Sequence, residues 1–318
     1  MGIRGLNNLI KKYSPDAENV KDIKEYSGCI FGIDCSILLY KFKYASKAEN
    51  SHLVGIVNRI KYYMSNGILP VFVFDGDPPE AKRNTIQKRQ DNKEKLYVRI
   101  EELRILEIDA KTDAEKKTLA DEITRISSQI IRIKKSHILE CKELLEKSGV
   151  PYCTAPEDAE KYCAFLQKNG FIDYTVTDDT DAMTFGCEKI IKTSINKIIE
   201  IDTNKVLQNF EMTMEMFVDF CILSGCDYSD TIASVGPVTS FNIIKQHKSI
   251  NNYIEKLTVK PDKLKIEFEI AKKIFTEFDY VIPEKFKINS YNKKDLLKFL
   301  EDNNFKENII IKFLKILN

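Results

Sequence analysis

Residues 29–42 read CIFGIDCSILLYKF, and the fold turns on how this stretch is read. The apolar run through Ile33 has the length and the Ile/Phe content of a buried strand. It ends on Asp34. A carboxylate buried without a partner is costly, so Asp34 needs one. The pattern returns at LPVFVFDGDPP (69–79), which ends on Asp75, and at DYTVTDDTDAM (173–183), which ends on Asp179 and Asp181. Three apolar runs that each deliver aspartates at their carboxyl end raise the question of what those acids hold.

Between the first two runs lies SHLVGIVNRIKYYMSNG (51–67), an amphipathic helix closed by Gly67. Strand, helix, strand in that order predicts a parallel sheet with crossover helices, whose ligands bind beyond the carboxyl ends of the strands. Asp34 and Asp75 fall there. Residues 80–147 change character: they are dense in Lys, Arg, Glu and Asp, and their apolar order is helical, as in a solvated helical hairpin. Strand and helix alternate again over 150–210, through VPYCT, EDAEKYCAFLQKNG, IDYTVTDD, KIIKTS and KIIEID, with Thr154 and Glu157 spaced as a capping box. From residue 211 the chain is mainly helical, and the Lys/Asn-rich tail from Pro261 to Asn318 is expected to be helical too. The predicted fold is therefore α/β, a mostly parallel central sheet flanked by helices. Its expected divisions are a core over 1–210, with an insertion at about 80–136, and a helical unit over 211–318.

The chain has 318 residues, 43% of them hydrophobic, enough for one large or two ordinary domains. No apolar run approaches the roughly 20 residues a membrane span requires. The opening MGIRGLNN lacks an apolar signal core, and Leu6 stands where a myristoylation motif needs Ser or Thr. None of the eight cysteines forms a CxxC pair, so short-spaced zinc sites are not expected and the thiols fit a reducing, intracellular setting. His52, His137 and His247 are the only histidines, with no spacing that suggests a catalytic triad. The net charge of +1 argues neither for nor against nucleic acid, but its distribution is uneven. Residues 82–99 carry Lys82, Arg83, Lys88, Arg89, Lys93, Lys95 and Arg99 against Asp91 and Glu94. Residues 124–135 carry Arg125, Arg132, Lys134 and Lys135 with no acid.

The acids that collect are Asp34, Asp75, Asp158, Glu160, Asp179, Asp181 and Asp227. Singly, each has a structural explanation. Asp34 can cap the next helix, Asp75 can close an Asx-turn, and Asp158 and Glu160 suit the first turn of a helix. Together, near one sheet edge, they would repel unless cations neutralise them. An all-oxygen set selects Mg²⁺ or Mn²⁺, and two such ions about 4 Å apart are a standard device for phosphodiester hydrolysis. Asp178 is left out, because strand alternation sends it to the other side. Gly236-Pro237, in SVGPVTSFNIIKQHKS, reads as a turn that exposes a helix N-terminus to a phosphate.

With these residues assembled, the chain resembles the flap endonucleases of the XPG-type structure-specific nuclease superfamily. The likeness runs from Met1 to about residue 260, through MGIRGLNNLI, GIDCSILLYKF, NGILPVFVFDGDPPEAKRNTIQKR, CKELLEKSGVPYCTAPEDAEKYCA, TDDTDAMTFG and CILSGCDYSDTIASVGPVTSFNIIKQHKSI. It implies hydrolysis of 5′ flaps at single-/double-strand DNA junctions with two Mg²⁺ ions, Mn²⁺ substituting, by a monomer acting in replication and repair. The seven acids fall on the family's metal-ligand positions. Lys82 and Arg89 fall on the two basic positions over the scissile phosphate, and Tyr40 on the aromatic position where a base stacks. The resemblance implies that Met1 is removed and that Gly2 lies at the junction. It makes residues 80–135 a helical arch with Arg132 as a phosphate contact. Gly236 falls in a helix-hairpin-helix (H2TH-type) clamp that takes K⁺.

Departures from the family bear on expectation. Asp158 replaces the usual Glu and reaches one methylene less far. Ser234 replaces the clamp's first Gly, and Val238 a frequent basic residue of the clamp's DNA-binding face. The loop after residue 43 is short. No QxxLxxFF-type sliding-clamp peptide is present before Asn318. A 5′ exonuclease, a junction resolvase and a catalytically inactive junction-binding protein are the alternatives. The nucleus, or a cytoplasmic replication site for a viral protein, is the expected location.

Overall fold

The computed structural model describes residues 2–194, 197–257 and 262–317. In chain order the elements run α1 (Leu6–Tyr13), β1 (Glu18–Lys21), β2 (Ile30–Asp34), α2 (Cys35–Ala45), α3 (Ser51–Met64) and β3 (Leu69–Phe74). The insertion follows as α4 (Arg83–Asp109) and α5 (Asp113–Gln129), then α6 (Lys135–Ser148). The second half of the sheet comes with β4 (Tyr152–Thr154), α7 (Ala159–Lys168), β5 (Tyr174–Val176), α8 (Asp181–Thr184), β6 (Lys189–Ser194) and β7 (Lys197–Asp202). Helices complete the chain: α9 (Thr203–Phe210), α10 (Met214–Ser224), α11 (Pro237–His247), α12 (Ile250–Ile254), α13 (Asp262–Thr276), α14 (Lys293–Asp302) and α15 (Glu307–Leu317).

The sheet has seven strands in the order β1-β7-β6-β5-β2-β3-β4. Strands β6, β5, β2, β3 and β4 are mutually parallel, while β7 and β1 run antiparallel at one edge. Asp34 pairs with Val73 in the register, so β2 and β3 end side by side. The mostly parallel sheet matches the expectation, and β1, a polar stretch, was not foreseen.

A parallel sheet must be covered on both faces. Phe31, Ile33, Phe72 and Phe74 bury against Ile56, Ile60 and Leu144, in one core that also takes Leu296, Phe299, Leu300, Ile310 and Phe313. Helices α14 and α15 therefore pack with the first core through α6 and α3, and packing does not follow a boundary at residue 210. Leu6 and Ile10 of α1 share a second core with Phe210, Phe217 and Phe241. Residues 277–292 are irregular rather than helical. Pro283 lacks an amide hydrogen for a helix, and Phe278, Tyr280 and Phe286 seat this strap against the core around Tyr162 and Phe165. Pro261 and Asn318, the bounds of the expected helical tail, lie outside the described residues. Thr154 is the last residue of β4 and not a cap; Asp158 stands at the N-cap position of α7.

Helices α4 and α5 form the expected hairpin, closed by Ile100, Leu103 and Ile126 with Leu96, Leu119 and Ile123. Among the described residues no helix is long and apolar enough to cross a membrane. At the second turn of interest, the Gly236 carbonyl accepts from the Ser240 amide at 2.8 Å and its hydroxyl at 2.9 Å, with Pro237 opening α11. Two residues earlier, Ser234 sits in the left-handed region at φ 65°. That conformation burdens a residue with a Cβ by about 1 kcal/mol. Ser234→Gly is expected to stabilise the protein by about 1 kcal/mol or somewhat less, read as a higher urea midpoint at unchanged slope; a lower midpoint would contradict the strain at this position.

Candidate metal centre

The strand ends deliver the acids as the sequence indicates. Asp34 closes β2 and caps α2: one oxygen accepts from the Ser36 amide at 3.0 Å, the other from the Thr177 hydroxyl at 2.8 Å. Asp75 follows β3 and accepts from the Ala159 amide at 2.8 Å and from the Ser36 hydroxyl. Asp158 and Glu160 sit at the start of α7, whose N-terminal dipole favours negative charge. Beyond β5, the Asp179 amide donates to Thr177 Oγ1 at 3.0 Å and the Asp181 amide to Asp179 Oδ1 at 3.1 Å. Asp227 lies in the turn after α10. Capping and clustering are thus served by the same side chains.

These groups feel one another. Asp34 is 1% exposed; burial, and next the charge of Asp75, push its carboxyl up to about 7. Burial and the charges of Asp34, Asp179, Asp75 and Asp158 push Glu160 well above the usual range. Burial raises Asp179 too. Asp181 is raised well above its ordinary value by burial and the charges of Asp179 and Asp227, and its Oδ1 is buried with no hydrogen-bond partner. One oxygen from each of Asp75, Asp158 and Glu160 lies within 4.8 Å of the others.

Two cations from the base of the insertion reach in. Lys82 Nζ lies 2.5 Å from Asp158 Oδ1 and 3.9 Å from Asp227 Oδ2. Burial works against its charge, but Asp158, Glu160 and Asp227 outweigh it and hold the ammonium more firmly protonated than an ordinary lysine. Arg89 Nη2 donates to both oxygens of Asp227, at 2.8 and 2.7 Å. Two side-chain cations do not neutralise seven carboxylates. The orphaned Asp181 oxygen, the close oxygens of Asp75, Asp158 and Glu160, and the all-oxygen donor set fit hard divalent cations.

The other expected positions fall around this group. Gly2, at φ +86°, packs so closely that a Cβ there would lie 2.1 Å from Asp179 Oδ1; Met1 lies outside the described residues. Gly5, at φ +69°, abuts Pro237, where a Cβ would lie 2.6 Å from the ring, so the N-terminal segment bridges the acids and the Gly236 turn. Tyr40 is partly exposed on α2, with Lys93 Nζ 5.9 Å from its ring. Arg132 is exposed between α5 and α6, and Val238 is exposed in the first turn of α11. Asp178 pairs with Lys41 of α2.

Sequence reasoning missed three supporting groups. Ser36 and Thr177 follow the strand ends at the two-residue spacing of side-chain turns, a signal that was available. Tyr228 donates to Asp158 Oδ2 at 2.6 Å, and nothing local in SGCDYSD marks it. It also missed that His52 and His137 meet, rings 4.6 Å apart, with His52 Nε2 2.6 Å from Glu140, where burial holds both imidazoles below their usual pKa.

Comparison with known proteins places this geometry in context. A profile of the XPG N-terminal domain matches residues 1–96, and one of the XPG I-region matches residues 149–227. Flap endonuclease 1 of Enterocytozoon bieneusi is 36% identical over 270 residues, covering 80% of this chain and 72% of that protein. Flap endonuclease 1 of Aedes aegypti is 34% identical, covering 98% of this chain and 84% of its own length. Among solved structures, the catalytic core of Rad2 in complex with DNA substrate superposes with a TM-score of 0.74 at 22% identity over 100% of both chains. Flap endonuclease-1 from Methanococcus jannaschii superposes with a TM-score of 0.70 at 22% identity, over 94% of this chain and 95% of that one. At such identity the superpositions establish the fold.

Asp181→Asn removes a buried ionisable group whose Oδ1 has no hydrogen-bond partner and whose charged form burial, Asp179 and Asp227 oppose. It is expected to raise the stability of the metal-free protein by on the order of 1–3 kcal/mol while shrinking the rise in melting temperature that Mg²⁺ produces. Melting in EDTA and in Mg²⁺ reads both effects. A less stable metal-free variant would mean that the carboxylate is a structural anchor.

Proposed function

The chain belongs to the flap endonuclease family of XPG-type nucleases, and we propose that Asp34, Asp75, Asp158, Glu160, Asp179, Asp181 and Asp227 hold two Mg²⁺ ions, Mn²⁺ substituting, beyond the ends of its strands. It is a structure-specific flap endonuclease of DNA replication and repair that hydrolyses phosphodiesters and uses divalent metal. The observation that supports the residue-level reading best is the convergence of Asp75, Asp158 and Glu160 oxygens within 4.8 Å beside the orphaned oxygen of Asp181. Bound there, the two ions would lower the pKa of an attacking water and stabilise the charge that develops on the phosphoryl oxygens.

The remaining work falls to the chain's own side chains. Lys82 and Arg89 now engage Asp158 and Asp227. With those carboxylates balanced by metal charge, the two side chains would be free to meet an oxygen of the scissile phosphate and stabilise the charge that builds there. Gly2 leaves room for backbone and DNA beside Asp179. Tyr40 offers a ring on which a base at the junction stacks. The first turn of α11, opened by Gly236 and carrying Val238 in place of a charge, would grip the duplex backbone through its amide groups, with K⁺ as the cation this turn would take. Arg132 takes a phosphate on the far side of the arch. In this reading the core over 1–210, joined by Asp227 from the helical unit, carries the chemistry, and helices of the 211–318 unit grip the duplex. All these residues come from one chain, so a monomer suffices.

The test is cleavage of 5′-flap, nicked, bubble and four-way DNA in Mg²⁺. Flaps should be cut at the junction fastest. Symmetric cutting of four-way DNA with flaps left intact would assign a resolvase, and binding without cutting in Mg²⁺ or Mn²⁺ would assign an inactive junction binder. Asp181→Ala should bind flaps and cut none. Lys82→Ala and Arg89→Ala should each slow single-turnover cleavage by about 100-fold or more with little loss of flap affinity; equal losses in both would make them ordinary phosphate grips.

A further inference from the structure

The role of Asp158 in this reading leaves one question open: what orients its carboxylate. Although it stands at the N-cap position of α7, its side chain makes no cap hydrogen bond. Its Oδ1 meets Lys82, a bond that an incoming phosphate can claim, and its Oδ2 accepts from the Tyr228 hydroxyl at 2.6 Å. Tyr228 is itself 3% exposed. Its ring stands edge-on to Phe275 of α13, centroids 5.1 Å apart, and to Phe185 just past α8, centroids 6.2 Å apart, while Lys82 Nζ lies 5.6 Å from its centre. A ring packed on these sides does not swing, so its hydroxyl is a donor fixed in place.

We infer that Tyr228 is the positioning residue of the metal centre: it holds the Asp158 carboxylate toward Asp75 and Glu160 and thereby sets the affinity for divalent cation. The inference rests on the metal-centre reading above and deepens it. It also gives Asp158 its partner: a side chain with a single methylene gains through an external donor the orientation that reach alone does not supply. Through Phe275 and Phe185 the donor is braced by α13 and by the end of α8, whose first residue is Asp181.

Tyr228→Phe keeps the ring and removes only the donor. Two readouts follow: the Mg²⁺ concentration at half of the full rise in melting temperature, without DNA, and the Mg²⁺ concentration at half-maximal flap cleavage. Both should increase about tenfold or more, as loss of an outer partner of a metal ligand does, with KM for flap DNA at saturating Mg²⁺ unchanged. In an Asp158→Ala background the same substitution should add nothing, because the group it acts through is gone. An unchanged Mg²⁺ requirement in Tyr228→Phe overturns the inference, as does an equal further increase in the Asp158→Ala background. Should the wild-type protein show no Mg²⁺-linked rise in melting temperature, the metal centre itself falls, a failure distinct from that of Tyr228 within a working centre.

Discussion

Repulsion among carboxylates brought out of water at one sheet edge is the constraint around which the rest of the structure is arranged. Parallel strands end together, so the residues just past β2, β3 and β5 meet whether or not their charges favour it. The fold meets part of the cost locally. Asp34 takes an amide and a hydroxyl, Asp75 an amide and a hydroxyl, and the start of α7 lends its dipole to Asp158 and Glu160. What is left over shows in the carboxyls of Asp34, Glu160, Asp179 and Asp181, all raised above their ordinary values. That remaining cost is what bound cations would relieve.

The same constraint ties the arch to the centre. Helix α4 begins beside Lys82 and places Arg89 on Asp227, so the base of the insertion contributes the only side-chain cations described among the seven acids. Thr85 adds a hydrogen bond to the Asp227 carbonyl at 2.9 Å, and Lys88 pairs with Asp230. The hairpin beyond has its own small core around Ile100, Leu103 and Ile126, and so keeps its form while its base answers to the charge beneath it. Charge at the strand ends and the position of the arch base are therefore one linked quantity.

Much of this was legible in the sequence for a plain reason. Strand periodicity and the rule that ligands sit beyond the carboxyl ends of parallel strands locate Asp34, Asp75, Asp179 and Asp181 without any structure. Asp158 and Glu160 follow from the helix start, although the Thr154/Glu157 spacing suggested the wrong cap: Thr154 ends β4, and the helix begins at Ala159. Asp227 was collected from a polar turn away from any strand end, and its place among metal ligands came with the resemblance. The features that escaped depend on contacts distant in the chain. β1 is a strand because β7 pairs with it, and its residues Glu18–Lys21 carry no strand pattern of their own. Helices α14 and α15 are amphipathic in sequence, but an apolar stripe does not say which core it joins. Tyr228 sits beside Asp227 in a stretch that reads as a polar turn, and it is packed by residues distant in the chain, Phe185 just past α8 and Phe275 of α13 among them.

The most direct measurement is the melting temperature of the protein between pH 5 and 8, in EDTA and in Mg²⁺. An acid whose pKa is raised by folding stabilises the fold fully only below its unfolded value, and that contribution is lost as pH rises through the folded value. For Asp34 this window runs from its ordinary 3.8 to about 7, and Glu160, Asp179 and Asp181 shift the same way. In EDTA, stability should fall as pH rises through this range. In Mg²⁺ the fall should disappear, the metal's effect growing with pH as the carboxylates lose their protons. A metal-free melting temperature that stays level from pH 5 to 8, with an Mg²⁺ effect of the same size throughout, would mean that these acids do not form one charged cage.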